Sequence, residues 1–270
     1  MTILCATCGV ETAAPLPETC RICADERQWV PLHGQIWTSV EEQLADGMHI
    51  DVVELEPGAW ALTSDPAVGI GQRSILVQTD AGNVLWDPLG TITDDAVEQV
   101  RELGGLSYVV ASHPHMFGVQ CAWADALDAR VLVNQRDASW IARRHERIDL
   151  WDGELELLPG VRLIRFGGHF PGAAVILWER GSGGQGSLLA GDTMQPKPDR
   201  RSVAFMRSYT NDIPLSAGVV RRLAEQSAAL RFRRVYGNIP GQVVEDGPEA
   251  IARSAQRHID WVTGVHDDLT

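Results

Sequence analysis

Three imidazoles and one carboxylate, met in a fixed order, carry most of the chemistry this sequence offers. His113 and His115 lie in Ser112-His113-Pro114-His115-Met116-Phe117-Gly118, His169 lies in Gly167-Gly168-His169-Phe170-Pro171-Gly172, and Asp192 lies in Leu188-Leu189-Ala190-Gly191-Asp192-Thr193. Residues two apart in extended backbone project to the same side, so His113 and His115 can offer two nitrogens to one point while Pro114 stiffens the residue between them. Glycines beside His169 and Asp192 let the backbone pass close to whatever is bound. Imidazole nitrogen and carboxylate oxygen are ligands for a divalent transition metal. Three histidines with an open position lower the pKa of a bound water, and the same ion polarises a carbonyl. Asp192 has two readings: a fourth ligand, or a base just outside the metal that takes the water's proton.

A second metal-ligating set precedes the first. Cys5-x-x-Cys8 and Cys20-x-x-Cys23 stand eleven residues apart, leaving only Cys121 outside the set. Two such knuckles supply four thiolates in tetrahedral reach, the ligand set of a structural zinc ribbon. Two disulfides are the alternative, disfavoured in a reducing compartment, and a rubredoxin-like iron centre uses the same ligands. So short a segment has almost no core, so metal binding would drive its folding. Cys121 reads as a small buried hydrophobe on a helix, with a redox role left open by its closeness to the histidines.

The elements that must position these residues alternate. Leu106 to Ala111 is a short apolar, β-branched run, read as a buried parallel strand that delivers His113 and His115 at its end. An acidic helical pattern near Ser39 to Leu44 joins the knuckle to strands at 49–56, 73–78 and 83–86, and Thr93 caps a helix that Gly104-Gly105 stops. Asp87, before Pro88, is either near the site or simply a turn residue. Helices are expected at 118–128, 135–145, 215–230 and 247–264. Strands are expected at 130–133, 154–157, 161–166, 173–178, 187–190 and 232–236, with 180–186 a flexible hairpin loop. His145 then lies at a helix end, where it complements the dipole.

The order His-x-His, Gly-His, Gly-Asp resembles the metallo-β-lactamase superfamily over roughly residues 35 to 250. That resemblance implies an α/β fold, a four-layer αββα sandwich, here with a small zinc-ribbon-like appendage: 1–30 the knuckle and 31–270 the main domain. It also implies that His113, His115, His169 and Asp192 bind the active-site metal. Two departures bear on the metal count. Where the family has Asp and His after His-x-His, this chain has Phe117 and Gly118, and where the family has a late His, the chain reads Val235-Tyr236-Gly237-Asn238. The expectation is therefore one active-site metal, with Asn238 either standing in for the late His or lying in a loop rebuilt around its absence. Phe117 either lines an apolar pocket or packs in the core.

The stretch 194–214 follows the Gly-Asp strand end and is the candidate substrate wall. Arg200, Arg201 and Arg207 could hold an anionic group through bidentate hydrogen bonds, or stand as solvated surface arginines. Tyr209 could offer a hydrogen bond to a polarised oxygen. With 270 residues, 44% hydrophobic and 22% charged, the composition is that of a globular protein. A net charge of −13 repels phosphate backbones, so nucleic acid is an unexpected partner. No membrane span and no leader pattern is read, and the expected location is the cytoplasm. The leading function is a hydrolase acting on a small ester, lactone, thioester or amide through mononuclear zinc. Two alternatives stay open: a non-haem iron redox enzyme, since the superfamily includes sulfur dioxygenases, and a non-catalytic metal- or partner-binding protein.

Overall fold

Apolar runs form the expected strands with several more between them, and the ends of two parallel pairs present the residues of interest. The computed structural model describes residues 1–270, which divide into two units, Met1–Asp152 and Gly153–Thr270.

In the first unit, β1 (Ile3–Cys5), β2 (Glu11–Thr12) and β3 (Trp37–Ser39) make a small antiparallel sheet in the order β2-β1-β3. Ser39 then closes a capping box: its hydroxyl accepts from Glu42 N at 3.2 Å, and Glu42 Oε2 accepts from Ser39 N at 3.0 Å, starting the helix Val40–Ala45. A seven-stranded sheet follows. It comprises β4 (His49–Glu56), β5 (Ala59–Asp65), β6 (Ser74–Thr79), β7 (Gly82–Trp86), β8 (Tyr108–Val110), β9 (Arg130–Asn134) and β10 (Ile148–Trp151), ordered β10-β9-β8-β7-β6-β5-β4. The strands β4 to β7 form an antiparallel meander, and β7 to β10 run parallel.

Parallel pairing needs crossovers. The helices Asp94–Glu102 and Gln120–Leu127 supply two of them, the first capped by Thr93, whose hydroxyl accepts from Ala96 N at 3.1 Å. Leu62, Leu76, Leu85, Val109 and Val131 from the sheet share one buried cluster with Val97, Val100 and Trp123, and with Leu4, Val10 and Ile22 beside the cysteines. The knuckle therefore grows out of the same core as the sheet.

Two expectations fail in this unit. The helix foreseen at 135–145 is a single 3-10 turn, Gln135–Trp140, followed by irregular chain and β10. Asn134 caps the turn by accepting from Arg136 N at 3.1 Å, while Arg143 and Arg147 reach Glu11, Asp125 and Asp128, holding the backbone away from helical spacing. His145 accordingly pairs with Asp125, Nε2 to Oδ2 at 3.2 Å, and caps no helix. The strand β5 was not foreseen, since Ala59 and Ala61 give a weak strand signal.

In the second unit, β11 (Glu154–Leu158), β12 (Val161–Arg165), β13 (Ala174–Trp178) and β14 (Ser187–Leu189) form an antiparallel run. Two small hairpins follow, β15 (Gln195–Pro196) with β16 (Val203–Ala204), and β17 (Met206–Ser208) with β18 (Ile213–Pro214). The main sheet is completed by β19 (Arg234–Tyr236), parallel to β14, and β20 (Val243–Val244). The helices Ala217–Ala228 and Gly247–Val262 bury Val220, Leu223, Ile251 and Ala255 against Val175, Leu177, Leu188 and Val235. The link 180–186 is a tight turn with left-handed Ser182 and Gly183. No helix is long and apolar enough to cross a membrane.

Candidate metal centres

The four-cysteine group is assembled by two tight turns. After β1, Gly9 N donates to Cys5 O at 2.8 Å and Cys5 N to Val10 O at 3.0 Å, while Ala24 N donates to Cys20 O at 3.0 Å in the second knuckle. All four thiols are buried and unbonded, and their sulfurs lie within 4.8 Å of one another. Two edges are resolved: Cys5 Sγ to Cys23 Sγ at 3.6 Å and Cys8 Sγ to Cys20 Sγ at 3.8 Å. A zinc–sulfur bond of about 2.3 Å gives a tetrahedral edge of about 3.8 Å, so the group fits a zinc ion. Both edges are far too long for disulfides.

Hydrogen bonds from neighbouring thiols pull Cys5 and Cys20 well down in pKa, whereas Cys8 and Cys23, donating to those sulfurs, are pushed up. Gln35 braces the group from outside: Nε2 donates to Cys5 Sγ at 3.2 Å and Oε1 accepts from Cys20 N at 3.0 Å.

The first histidine pair stands at the carboxyl end of β8, the edge of a parallel sheet where ligands bind in open α/β folds. His113 and His115 are buried, with ring centroids 5.0 Å apart. Each ring has a partner on Nδ1: Ser112 Oγ at 2.9 Å for His113, and Gln28 Nε2 at 3.2 Å for His115. Asp87, fully buried at the end of β7, accepts from Ser112 N at 2.6 Å and so ties down the start of the loop. Its backbone is left-handed, φ 54°. Of its two sequence readings, nearness to the histidines is the one observed.

Phe117 is 3% exposed and packs in the first unit's core, as the second of its two readings has it. Gly118 explains the missing family histidine. Its φ is +50°, and a Cβ there would come within 2.2 Å of Pro88 O and 2.4 Å of Leu89 O. No side chain fits. Cys121 is fully buried, and burial with the neighbouring Glu11 charge pushes its thiol well above the ordinary range, away from the reactive thiolate form.

The second pair belongs to the other unit. His169 sits on the β12–β13 connection after Gly167 and Gly168, whose φ values of 71° and 90° only glycine adopts readily. Its Nδ1 donates to Met206 O at 3.0 Å, which fixes the proton there and puts the lone pair on Nε2, 3.8 Å from Asp192 Oδ2. Asp192 follows β14, and its Oδ1 accepts from Gln195 Nε2 at 3.0 Å. Gln195 in turn accepts from Lys197 Nζ at 3.1 Å.

Tyr209 Oη donates toward the carbonyls of Asp192 and Ala204, at 3.1 and 2.8 Å, and burial together with the Asp192 charge pushes its pKa well up. Asn238 is buried two residues past β19, on the strand parallel to β14, so it flanks the Asp192 strand end. Arg200 and Arg201 are exposed on a turn that Asp199 organises, accepting from Arg201 N at 2.9 Å and Ser202 N at 3.0 Å; Arg207 is half-buried on β17.

Sequence reasoning missed Gln28, Gln35, Ser112 and Gln195, the groups that hydrogen-bond to His115, Cys5, His113 and Asp192. Only Ser112, adjacent to His113, had a signal in the spacing.

YmaE of Bacillus subtilis (strain 168), described as an uncharacterised protein, is 38% identical over 260 residues, which cover 95% of each chain. A B3 metallo-β-lactamase with an active-site glutamic acid superposes with a TM-score of 0.55 at 15% identity, covering 86% of this chain and 97% of that one. The metallo-β-lactamase FIM-1 from Pseudomonas aeruginosa, solved in a mono-zinc form, gives 0.56 at 16% identity over 77% and 95%. These neighbours share the fold. The profile described as the metallo-β-lactamase superfamily matches residues 68–237, more than half of the chain, which therefore belongs to that superfamily.

Proposed function

We propose that His113, His115, His169 and Asp192 hold one metal ion, zinc in this reading, and that the chain hydrolyses a small ester, lactone, thioester or amide. Membership of the superfamily supports metal-dependent hydrolysis as the class. The observation that carries the mononuclear part is Gly118, whose surroundings admit no second-metal histidine. The donors also fit a metal: both His113 and His169 engage Nδ1 elsewhere, and His169 turns Nε2 toward Asp192.

When bound, such an ion activates a water and polarises the carbonyl it attacks. The chain's own residues do the rest. Gln195 holds Asp192 by Oδ1 and keeps Oδ2 on the His169 side, where it serves as ligand or takes the proton from water. Asn238, at the neighbouring strand end, is the amide N–H that steadies the carbonyl oxygen, in the place of the family's late histidine. Tyr209 braces the Asp192 backbone. Arg200, Arg201 and Arg207 attract an anionic substrate group. Five unbonded thiols suit a reducing compartment, the cytoplasm.

The test is elemental analysis of the wild type and His169→Ala, together with hydrolysis of p-nitrophenyl acetate, a γ-lactone and an acyl thioester. We expect two metal ions per chain, falling to one in His169→Ala with loss of hydrolysis. Undiminished metal content in that variant overturns the site as drawn.

A further inference from the structure

The four-cysteine knuckle reaches the histidine loop through one side chain. Five positions past Cys23, Gln28 sets its amide nitrogen 3.2 Å from Nδ1 of His115. The path between them is short and pinned at each step. Asp25 N donates to Ile22 O at 3.3 Å and Gln28 N to Asp25 O at 3.0 Å. The Asp25 carboxylate accepts from Arg27 N at 3.0 Å and from Arg27 Nη1 at 2.6 Å. Arg27 is 6% exposed, so this ion pair is sheltered from solvent, whereas Trp29 and Val30 beyond Gln28 are exposed.

From 20 to 28 the chain is a run of turns with no strand or helix of its own. Its shape is therefore set by what anchors it: Cys20 and Cys23 at one end, Ile22 in the shared core between them, Arg21 on Ser139 O, and the Asp25–Arg27 pair in the middle. Other links bind the same two regions, since Glu11 N, on the strand that follows the first knuckle, donates to Gly118 O at 2.9 Å. A carboxamide carries donor and acceptor on one flat group. Gln28 can thus answer Nδ1 of His115 with Nε2 when that nitrogen bears a lone pair, and with Oε1 when it bears a proton.

The geometry points to Gln28 as a positioning residue: delivered by the metal-bound knuckle, it fixes the His115 ring, so that metal binding at the four cysteines strengthens metal binding at the histidine site. This inference rests on the proposal that His113, His115, His169 and Asp192 hold a metal. Groups that hold a ligand histidine by its other nitrogen contribute about 10–100-fold to metal affinity. By thermodynamic reciprocity the knuckle and the histidine site then strengthen one another.

Cobalt(II) added to the metal-free full chain tests it, because four-thiolate cobalt shows a sulfur charge-transfer band that nitrogen- and oxygen-bound cobalt lacks. In Gln28→Ala the thiolate band is expected to stay, while the non-thiolate cobalt binds about tenfold or more weakly in chelator competition, with an altered d–d spectrum. Gln28→Glu keeps an oxygen for Nδ1–H and is expected to recover most of the affinity. Cys20→Ser is expected to weaken the histidine site as well as the knuckle; should that variant fail to fold, the Gln28 pair still decides. Wild-type affinity and an unchanged d–d spectrum in Gln28→Ala overturn the inference. A wild-type chain that takes up no non-thiolate cobalt, or one whose non-thiolate cobalt is untouched by His169→Ala, sinks the metal-site proposal beneath it.

Discussion

Replacing Gly118 by alanine is a one-carbon change with a large expected cost. The residue is left-handed at φ +50°, which costs a non-glycine residue about 1–2 kcal/mol. The added Cβ would lie 2.2 Å from Pro88 O and 2.4 Å from Leu89 O, both backbone atoms that no rotamer change can clear. Forcing them apart costs about 1–3 kcal/mol. The shift also strains two hydrogen bonds, Glu11 N to Gly118 O and Val119 N to Leu89 O, both 2.9 Å and each worth about 1 kcal/mol. With both hydrogen bonds lost these come to roughly 4–7 kcal/mol, a large part of a typical domain's 5–15 kcal/mol. Urea unfolding of metal-loaded wild type and Gly118→Ala should show a midpoint lowered by about 1–3 M. A midpoint unchanged within error would refute the steric argument. So would a Phe117→Asp/Gly118→His chain that gains a further metal ion at wild-type stability, since the mononuclear reading depends on that crowding.

Asp87→Ala removes the charge-assisted bond to Ser112 N, costing about 1.5–3 kcal/mol, and should also weaken metal binding at the histidines. Asp87→Asn keeps an oxygen for that N–H and tolerates the left-handed backbone, so it should behave nearly as wild type; a chelator competition that ranks the two variants equally contradicts the role given to Asp87. For Cys121, the folded pKa lies above the ordinary value of 9.0, so the native chain keeps a proton that the unfolded chain releases. Its contribution to stability is whole below about pH 9 and declines as pH rises further, a slope that Cys121→Ala should flatten. Iodoacetamide should leave the native thiol unmodified at pH 8.5, and rapid alkylation there would disprove its burial.

Local signals made much of this legible. Thr93 and its acidic first turn mark a helix start by short-range hydrogen bonding, and the β-branched run at 106–111 marks a parallel strand. The four proposed ligands of the histidine site stand out in the sequence because metal chemistry restricts which residues can serve. What holds them was not. Gln28 meets His115 across 87 positions and Gln35 meets Cys5 across 30, and glutamine in a turn looks like solvated surface until the fold closes. The helix expected at 135–145 failed for a related reason: Arg136 and Arg143 satisfy carboxylates brought from elsewhere in the chain, a tertiary demand that outweighs propensity. The missed strand Ala59–Asp65 gets its order from neighbours on both sides, and little from its small residues.

Glu11 is buried with its two oxygens committed to Cys121 N and Arg143, both at 2.6 Å. Arg143 is 132 positions later, so during synthesis at about 5–20 residues per second Glu11 waits roughly 7–26 s for its counter-charge. The four cysteines, by contrast, lie within nineteen positions, Cys5 to Cys23, and are complete almost at once. On the ribosome the four cysteines are therefore all present while the sheet whose core they share is still unmade, and the Glu11 carboxylate meets Arg143 only as the last parallel strands arrive.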